Sequence, residues 1–279
     1  MQKLFDSVSY QCSQKVTSAY STSFSLAVKM LSSKIQGAIY AIYGFVRLAD
    51  EIVDTFHDYD KEALFNEFEQ NLKHAIERRI SLNPILHAFQ DVVHKYNIDY
   101  DLIDAFMRSM RADLYKETYE TVEDYENYIY GSADVVGLMC LKVFVGGNQK
   151  MYDELEYSAK KLGSAFQKVN FLRDIKNDLE NLHRSYFPHL NAGNLDGTTK
   201  AEIIAEIEND FKEAYVGILK LPIEAKFGVY TAYIYYRKLL HKLKKVNATE
   251  LRNKRIRLSN TTKLRLLATS FVSYKLNLL

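Results

Sequence analysis

Apolar side chains along this chain recur at intervals of three and four residues, with almost no strand-like alternation. The spacing predicts helices over about 3–19, 32–55, 61–80, 84–96, 101–116, 128–147, 151–182, 200–220, 223–246 and 261–278. The punctuation agrees with it. Asn83 followed by Pro84 is a helix start, and Gly146-Gly147 suits a helix stop. The hydroxyl cluster YSTSF at 20–24 disfavours a helix interior and suits either a cap or contact with phosphate oxygens. The segment 184–197, RSYFPHLNAGNLDG, is the longest connection and the natural place for a hinge or lid. With no internal repeat, low-complexity tract or linker, the pattern predicts one all-α domain over 1–279.

Two of these helices carry paired carboxylates. Tyr43, Arg47, Asp50 and Asp54 are spaced 4, 3, 4; Gln167, Asn170, Asp174 and Asp178 are spaced 3, 4, 4. Each set keeps to one face of a helix. Around the first pair Ile39, Ile42, Phe45, Val46, Ile52 and Val53 make the helix apolar nearly all round, which implies burial. Buried charge is costly unless paired or liganded. If the two faces meet, four like charges converge and call for cations. Magnesium suits such a site, because it is held by a few carboxylates together with substrate phosphates. The helix predicted over 128–147 carries Gly131, Ala133 and Gly137 on related turns. A helical glycine costs about 1 kcal/mol relative to alanine, so these positions serve close helix packing or leave room for a long, thin ligand.

Composition narrows the picture further. The chain has 279 residues, 47% hydrophobic and 26% charged, with only three prolines and eleven glycines. Its two cysteines, Cys12 and Cys140, form no framework and no metal-type spacing, which makes a reducing cytoplasm the expected setting. The opening residues have no apolar segment of the secretory kind. The best apolar run, 135–145, is interrupted by Lys142 and falls short of the roughly 20 residues a membrane span needs. Net charge is +2, but 237–265 holds 11 Lys/Arg against one acid, so that segment is +10 and the rest −8. Such a segment is a solvated face or a contact for an anionic membrane or a diphosphate; it is weak ground for nucleic acid. No histidine or cysteine is placed as a nucleophile or zinc ligand.

Five motifs occur in order: YSTSF, then Y-x-x-x-R-x-x-D-x-x-x-D from Tyr43, then Y-x-Y-x-x-A-x-x-V-G from Tyr128, then Q-x-x-N-x-x-R-D-x-x-x-D from Gln167, then R-x-Y-F-P from Arg184. In this combination the chain resembles the squalene/phytoene synthase family of head-to-head prenyl transferases, and most of all its bacterial phytoene synthase branch. The resemblance implies an isoprenoid-synthase-type helical bundle around a central cavity. It implies that Asp50, Asp54, Asp174 and Asp178, helped by Asn170, hold magnesium (or manganese) against substrate diphosphates. By the same resemblance Ser21, Arg47 and Arg173 contact diphosphate, and Gln167 lines the site. Tyr43, Tyr128 and Tyr236 match positions near the reacting carbons, and Ala133, Val136, Gly137 and Leu162 flank the prenyl tails. One departure concerns the last motif: family members often have glycine before its arginine, where this chain has His183, which puts the role of Arg184 in question.

The expected activity is condensation of two geranylgeranyl diphosphates through prephytoene diphosphate to phytoene, the first committed step of carotenoid biosynthesis. The nearest alternative joins two C15 units into presqualene diphosphate, squalene or dehydrosqualene. A non-catalytic scaffold relative would be expected to lose its aspartates, and all four are present. Squalene formation needs a hydride donor, and no G-x-G-x-x-G turn is found, so no nicotinamide is expected. Partners are then the prenyl diphosphates, with peripheral contact at the inner membrane face and downstream carotenoid enzymes as further candidates.

Overall fold

A computed structural model describes residues 2–188 and 195–275. The chain forms α1 (Gln2–Tyr20), α2 (Thr22–Lys29), α3 (Ser33–Asp54), α4 (Lys61–Arg78), α5 (Pro84–Tyr96), α6 (Tyr100–Ala112), α7 (Val122–Ile129), a π-helical turn (Tyr130–Asp134), α8 (Val135–Phe144), α9 (Gln149–Glu180), α10 (Gly197–Lys220), α11 (Ile223–Lys245), α12 (Ala248–Asn253) and α13 (Asn260–Lys275). Among the described residues there is no strand; the one extended contact is an isolated bridge between Thr118 and Ser185. The fold is all-α. Part of the hinge-or-lid segment, 189–194, and the end of the last predicted helix, 276–278, lie outside the described residues.

The local chemistry explains the boundaries. Asn83 Oδ1 accepts from the Ile85 amide at 3.0 Å with Pro84 at the first helical position, and Asn148 Oδ1 accepts from Met151 at 3.1 Å to start α9. Gly146 and Gly147 take φ of +60 and +78 between α8 and α9, a region open to glycine at no steric cost. α3 buries eleven residues, with Ala41, Ile42, Phe45, Ala49 and Val53 fully enclosed. It packs against α1, α5, α8, α4 and α6, while α9 packs against α10, α8, the π turn and α11. The two aspartate helices therefore stand on opposite sides of the space that α8 and α11 help enclose.

Two predicted elements differ from the structure. The YSTSF cluster interrupts the helix at Ser21 alone, and α2, which the periodicity did not separate, begins at once. The helix predicted over 128–147 is three pieces: the end of α7, the π turn and α8. Gly131 lies so close to α6 that a Cβ would stand 2.7 Å from the Ala105 carbonyl and 2.0 Å from Ser109 Oγ. That close approach falls within the π turn, with Tyr128 before it lining the mouth and Ala133 inside it lining the apolar cavity. Among the described residues no helix is long and apolar enough to cross a membrane.

Candidate active site

The inner part of the central space is an apolar cavity of about 280 Å³ walled by α2, α3, α8, α9, α10 and α11. It opens into a polar mouth of about 650 Å³. Phe24, Tyr43, Gln167, Asn170 and Tyr236 line both, so the two are continuous. Ser21, Arg47, Asp50, Asp54, Tyr128, Arg173, Asp174 and Asp178 lie in the mouth, and Ala133, Val136, Gly137 and Leu162 line the apolar part. Every residue that the family resemblance assigned to the site thus lines one connected space, whereas Gly131 packs against α6.

The carboxylates face one another across it. Burial, then the charges of Asp174 and Asp54, push the Asp178 carboxyl up to about 8. The Asp54 effect crosses from α3 to α9, so the two faces do meet. Asp50 is also raised, by burial and then by Asp54. Arginines offset this charge. Arg47 pairs with Asp50 and Glu51 on its own helix. Arg173 Nε donates to Asp174 Oδ1 at 2.9 Å. Among the described residues no group of three His, Cys, Asp or Glu side chains stands close enough to hold one ion. The donor set does not fit a closed zinc-type cage. It fits magnesium, which takes one or two carboxylates and completes its octahedron with water and phosphate oxygens.

The aromatic positions are ordered by stacking. Tyr43 stacks on Phe24 at 4.6 Å, and burial lifts its phenol to about 12. Tyr236 stacks on Phe166 at 4.0 Å and donates to Asn170 Oδ1 at 3.3 Å. Tyr128 packs among Tyr119, Tyr186 and Phe171 and donates to Asp113 Oδ2 at 2.8 Å. All three phenols are protonated at neutral pH, and burial raises them further above their ordinary value of 10.0. Ser21 Oγ caps α2, accepting from the Phe24 amide at 3.3 Å, while lining the mouth. Gly137 serves packing as well as space: a Cβ there would sit 3.2 Å from the Ala159 carbonyl of α9.

Arg184, Asp113 and Arg255 are charged mouth residues to which the sequence reading gave no settled role. Arg184, left in question by His183, is 5% exposed and donates to Asp54 Oδ1 at 2.7 Å and to the Asp113 carbonyl at 2.7 Å. Asp113 ends α6 and lies 3.8 Å from Arg184 as an ion pair. Arg255, from the basic segment, pairs with Asp174 at 2.7 Å. His183 itself adopts φ +52, a backbone region that glycine enters at no steric cost. The only advance signals were the R-x-Y-F-P motif for Arg184 and the charge of 237–265 for Arg255.

Comparison with known proteins follows this geometry. The squalene/phytoene synthase family model matches residues 17–192. The 4,4'-diapophytoene synthase of Staphylococcus haemolyticus is 30% identical over 204 residues, 72% of this chain and 68% of that protein. The chloroplastic phytoene synthase 1 of Solanum lycopersicum is 27% identical over 256 residues, 85% of this chain and 61% of that protein. In fold, a dehydrosqualene synthase crystallised with a ligand superposes with a TM-score of 0.83 at 22% identity, covering 97% of this chain and 98% of that one. A squalene synthase from Alicyclobacillus acidocaldarius gives 0.73 at 20% identity, covering 89% and 95%.

Proposed function

The chain belongs to the squalene/phytoene synthase family of prenyl transferases, and from that premise we propose that it joins two C20 prenyl diphosphates head to head into phytoene. The observation that carries this reading is the polar mouth of paired aspartates and arginines opening directly into an apolar cavity. A diphosphate and a prenyl tail need those two environments in that order.

The first half joins the substrates with loss of one diphosphate and one proton, giving prephytoene diphosphate. The second half loses the remaining diphosphate and another proton, leaving a central double bond. Asp50, Asp54, Asp174 and Asp178, with Asn170, would hold magnesium, which when bound would neutralise charge on the leaving diphosphates. Arg47, Arg173 and Ser21 add fixed donors to the same oxygens. Tyr43, Tyr128 and Tyr236 present aromatic faces to the developing cation. Such contacts are worth about 2 kcal/mol when desolvated, and protonated phenols do not capture the cation as a phenolate would. Ala133, Val136, Gly137 and Leu162 keep the tails apart from water, and Gln167 orients the junction between mouth and cavity.

A second reading, condensation of two C15 diphosphates to dehydrosqualene, is favoured by the name of the Staphylococcus haemolyticus relative. Incubation of the purified chain with magnesium and C15 or C20 diphosphate, each alone and without reductant, separates them by product mass. Phytoene from the C20 substrate is expected; consumption of the C15 substrate alone establishes the second reading. Failure of both substrates in the presence of magnesium overturns the proposal.

A further inference from the structure

Asp174 differs from the other mouth aspartates in having no acceptor site left over. Arg173 forks it from the same helix, donating from Nε to Oδ1 at 2.9 Å and from a terminal nitrogen to Oδ2. Arg255 forks it from the other side, with Nε 2.7 Å from Oδ1 and a terminal nitrogen donating to Oδ2 at 3.2 Å. An ionised carboxylate offers about four lone-pair sites, and the two forks take them all. Among the described residues Asp50 and Asp54 each face a single guanidinium, and Asp178 faces none at ion-pair distance. For Asp174 to ligate a metal ion, one fork has to leave.

Exposure and the backbone decide which. Arg173 sits in the helix beside Asp174 with its side chain 18% exposed, whereas that of Arg255 is 47% exposed. Arg255 stands on the non-helical segment 254–259 that follows α12. Leu251 before it and Ile256 and Leu258 after it are buried, and Lys242 Nζ donates to the Arg257 carbonyl at 2.7 Å. The backbone is thereby anchored on both sides, so the part able to swing is the Arg255 side chain. It lines the mouth together with Ser21, Arg47 and Arg173. A guanidinium fork pairs with two phosphate oxygens as well as with two carboxylate oxygens.

We propose that Arg255 is a stand-in cation and a further diphosphate-binding residue: it competes with magnesium for Asp174 and, once displaced, pairs with the substrate diphosphate. The proposal deepens the function proposed above and rests on it.

Competition gives one substitution two opposite effects, each readable by calorimetry on the full chain without turnover. In Arg255→Gln, magnesium titrated alone is expected to bind about fivefold more tightly, because a competitor for Asp174 is gone. Inorganic pyrophosphate titrated at saturating magnesium is expected to bind about tenfold more weakly, because a bidentate partner is lost. Arg257→Gln makes the same change of charge two residues away and should alter either affinity by less than about twofold. A merely structural arginine would weaken both ligands together. Unchanged or weaker magnesium binding in Arg255→Gln, unchanged pyrophosphate binding, or equal effects from Arg257→Gln overturns the proposal and leaves the functional reading standing. A parent that binds neither ligand removes the functional reading and this proposal with it. Both shifts without product from either prenyl diphosphate count against the functional reading alone.

Discussion

The two aspartate helices carry one motif in two electrostatic settings. On α3, Asp54 is held by Arg184, a nearly enclosed guanidinium that is gripped in turn by the carbonyl and carboxylate of Asp113. On α9, Asp174 is held by its neighbour Arg173 and by Arg255, which is 47% exposed in its side chain. Among the described residues Asp178 has no cation at ion-pair distance, and its carboxyl is pushed up to about 8. The difference teaches that equal spacing does not make equal sites. In the first pair Asp54 is tied to a buried guanidinium, so its position is largely preorganised, while Asp50 pairs with the more exposed Arg47. In the second pair the carboxylates are the more buried, but Arg255 reaches Asp174 from the surface and is free to give way to a metal or a diphosphate.

The largest expected effect ignores the difference and tests what the pairs share. Asp50→Asn and Asp174→Asn should each lower kcat by about 10³-fold while the protein stays folded, since each removes charge from a repulsive cluster. Chelation of divalent metal should match that loss in the parent. Steady-state rates beside circular dichroism check both, and full activity with excess chelator would break the mechanism.

Replacing the arginine on each side sharpens the contrast. Arg184→Gln leaves Asp113 buried without its counter-charge and should cost about 3 kcal/mol of stability in denaturant melts. Arg255→Gln removes a half-exposed partner and should change stability by less than about 0.5 kcal/mol, while raising KM for the diphosphate. Equal destabilisation by the two variants would erase the distinction between a fixed and an adaptable pair.

As pH falls, protonation should reach the second pair first, at Asp178 near 8, and then the first, at Asp50 near 7. A protonated carboxyl cannot bind metal, so magnesium affinity should weaken as pH falls through about 8, where Asp178 takes up its proton. The sign for stability is opposite without metal. Because the folded pKa lies above the ordinary value of 3.8, the contribution is full below that value and is lost as pH rises through about 8. Thermal melts across this range with and without magnesium should show the metal restoring what alkali removes; a metal-free protein that gains stability on the same rise would contradict it.

The smallest effect concerns how the first pair's anchor is presented. His183 holds φ +52 just before Arg184, a strain that glycine relieves at some entropic cost. His183→Gly should therefore raise stability by about 0.5 kcal/mol with activity unchanged. A fall in melting temperature would mean the imidazole makes a contact that the backbone argument omits.

Much of the molecule was legible before any coordinates. Helix periodicity is written in neighbouring residues, so α1, α3, α4, α5, α10 and α11 follow from it within a few positions, and the cap at Asn83 repeats a rule that acts over three residues. The carboxylate stripes are equally local, because spacings of three and four place side chains on one face whatever the rest of the chain does. The order of five motifs then sufficed to identify the family.

What only tertiary structure decided lies at contacts between distant parts of the chain. Arg184 meets Asp54 across 130 positions and the Asp113 carbonyl across 71, and Arg255 meets Asp174 across 81. No local period encodes such pairs. The π turn is of the same kind: its wide register falls where Gly131 touches α6, and a helical pattern cannot signal one extra residue in a turn. The join of polar mouth to apolar cavity also belongs to packing, since it depends on the distance at which α3, α9 and α11 stand. Local sequence determines which face each helix presents; only the assembled fold determines what that face meets.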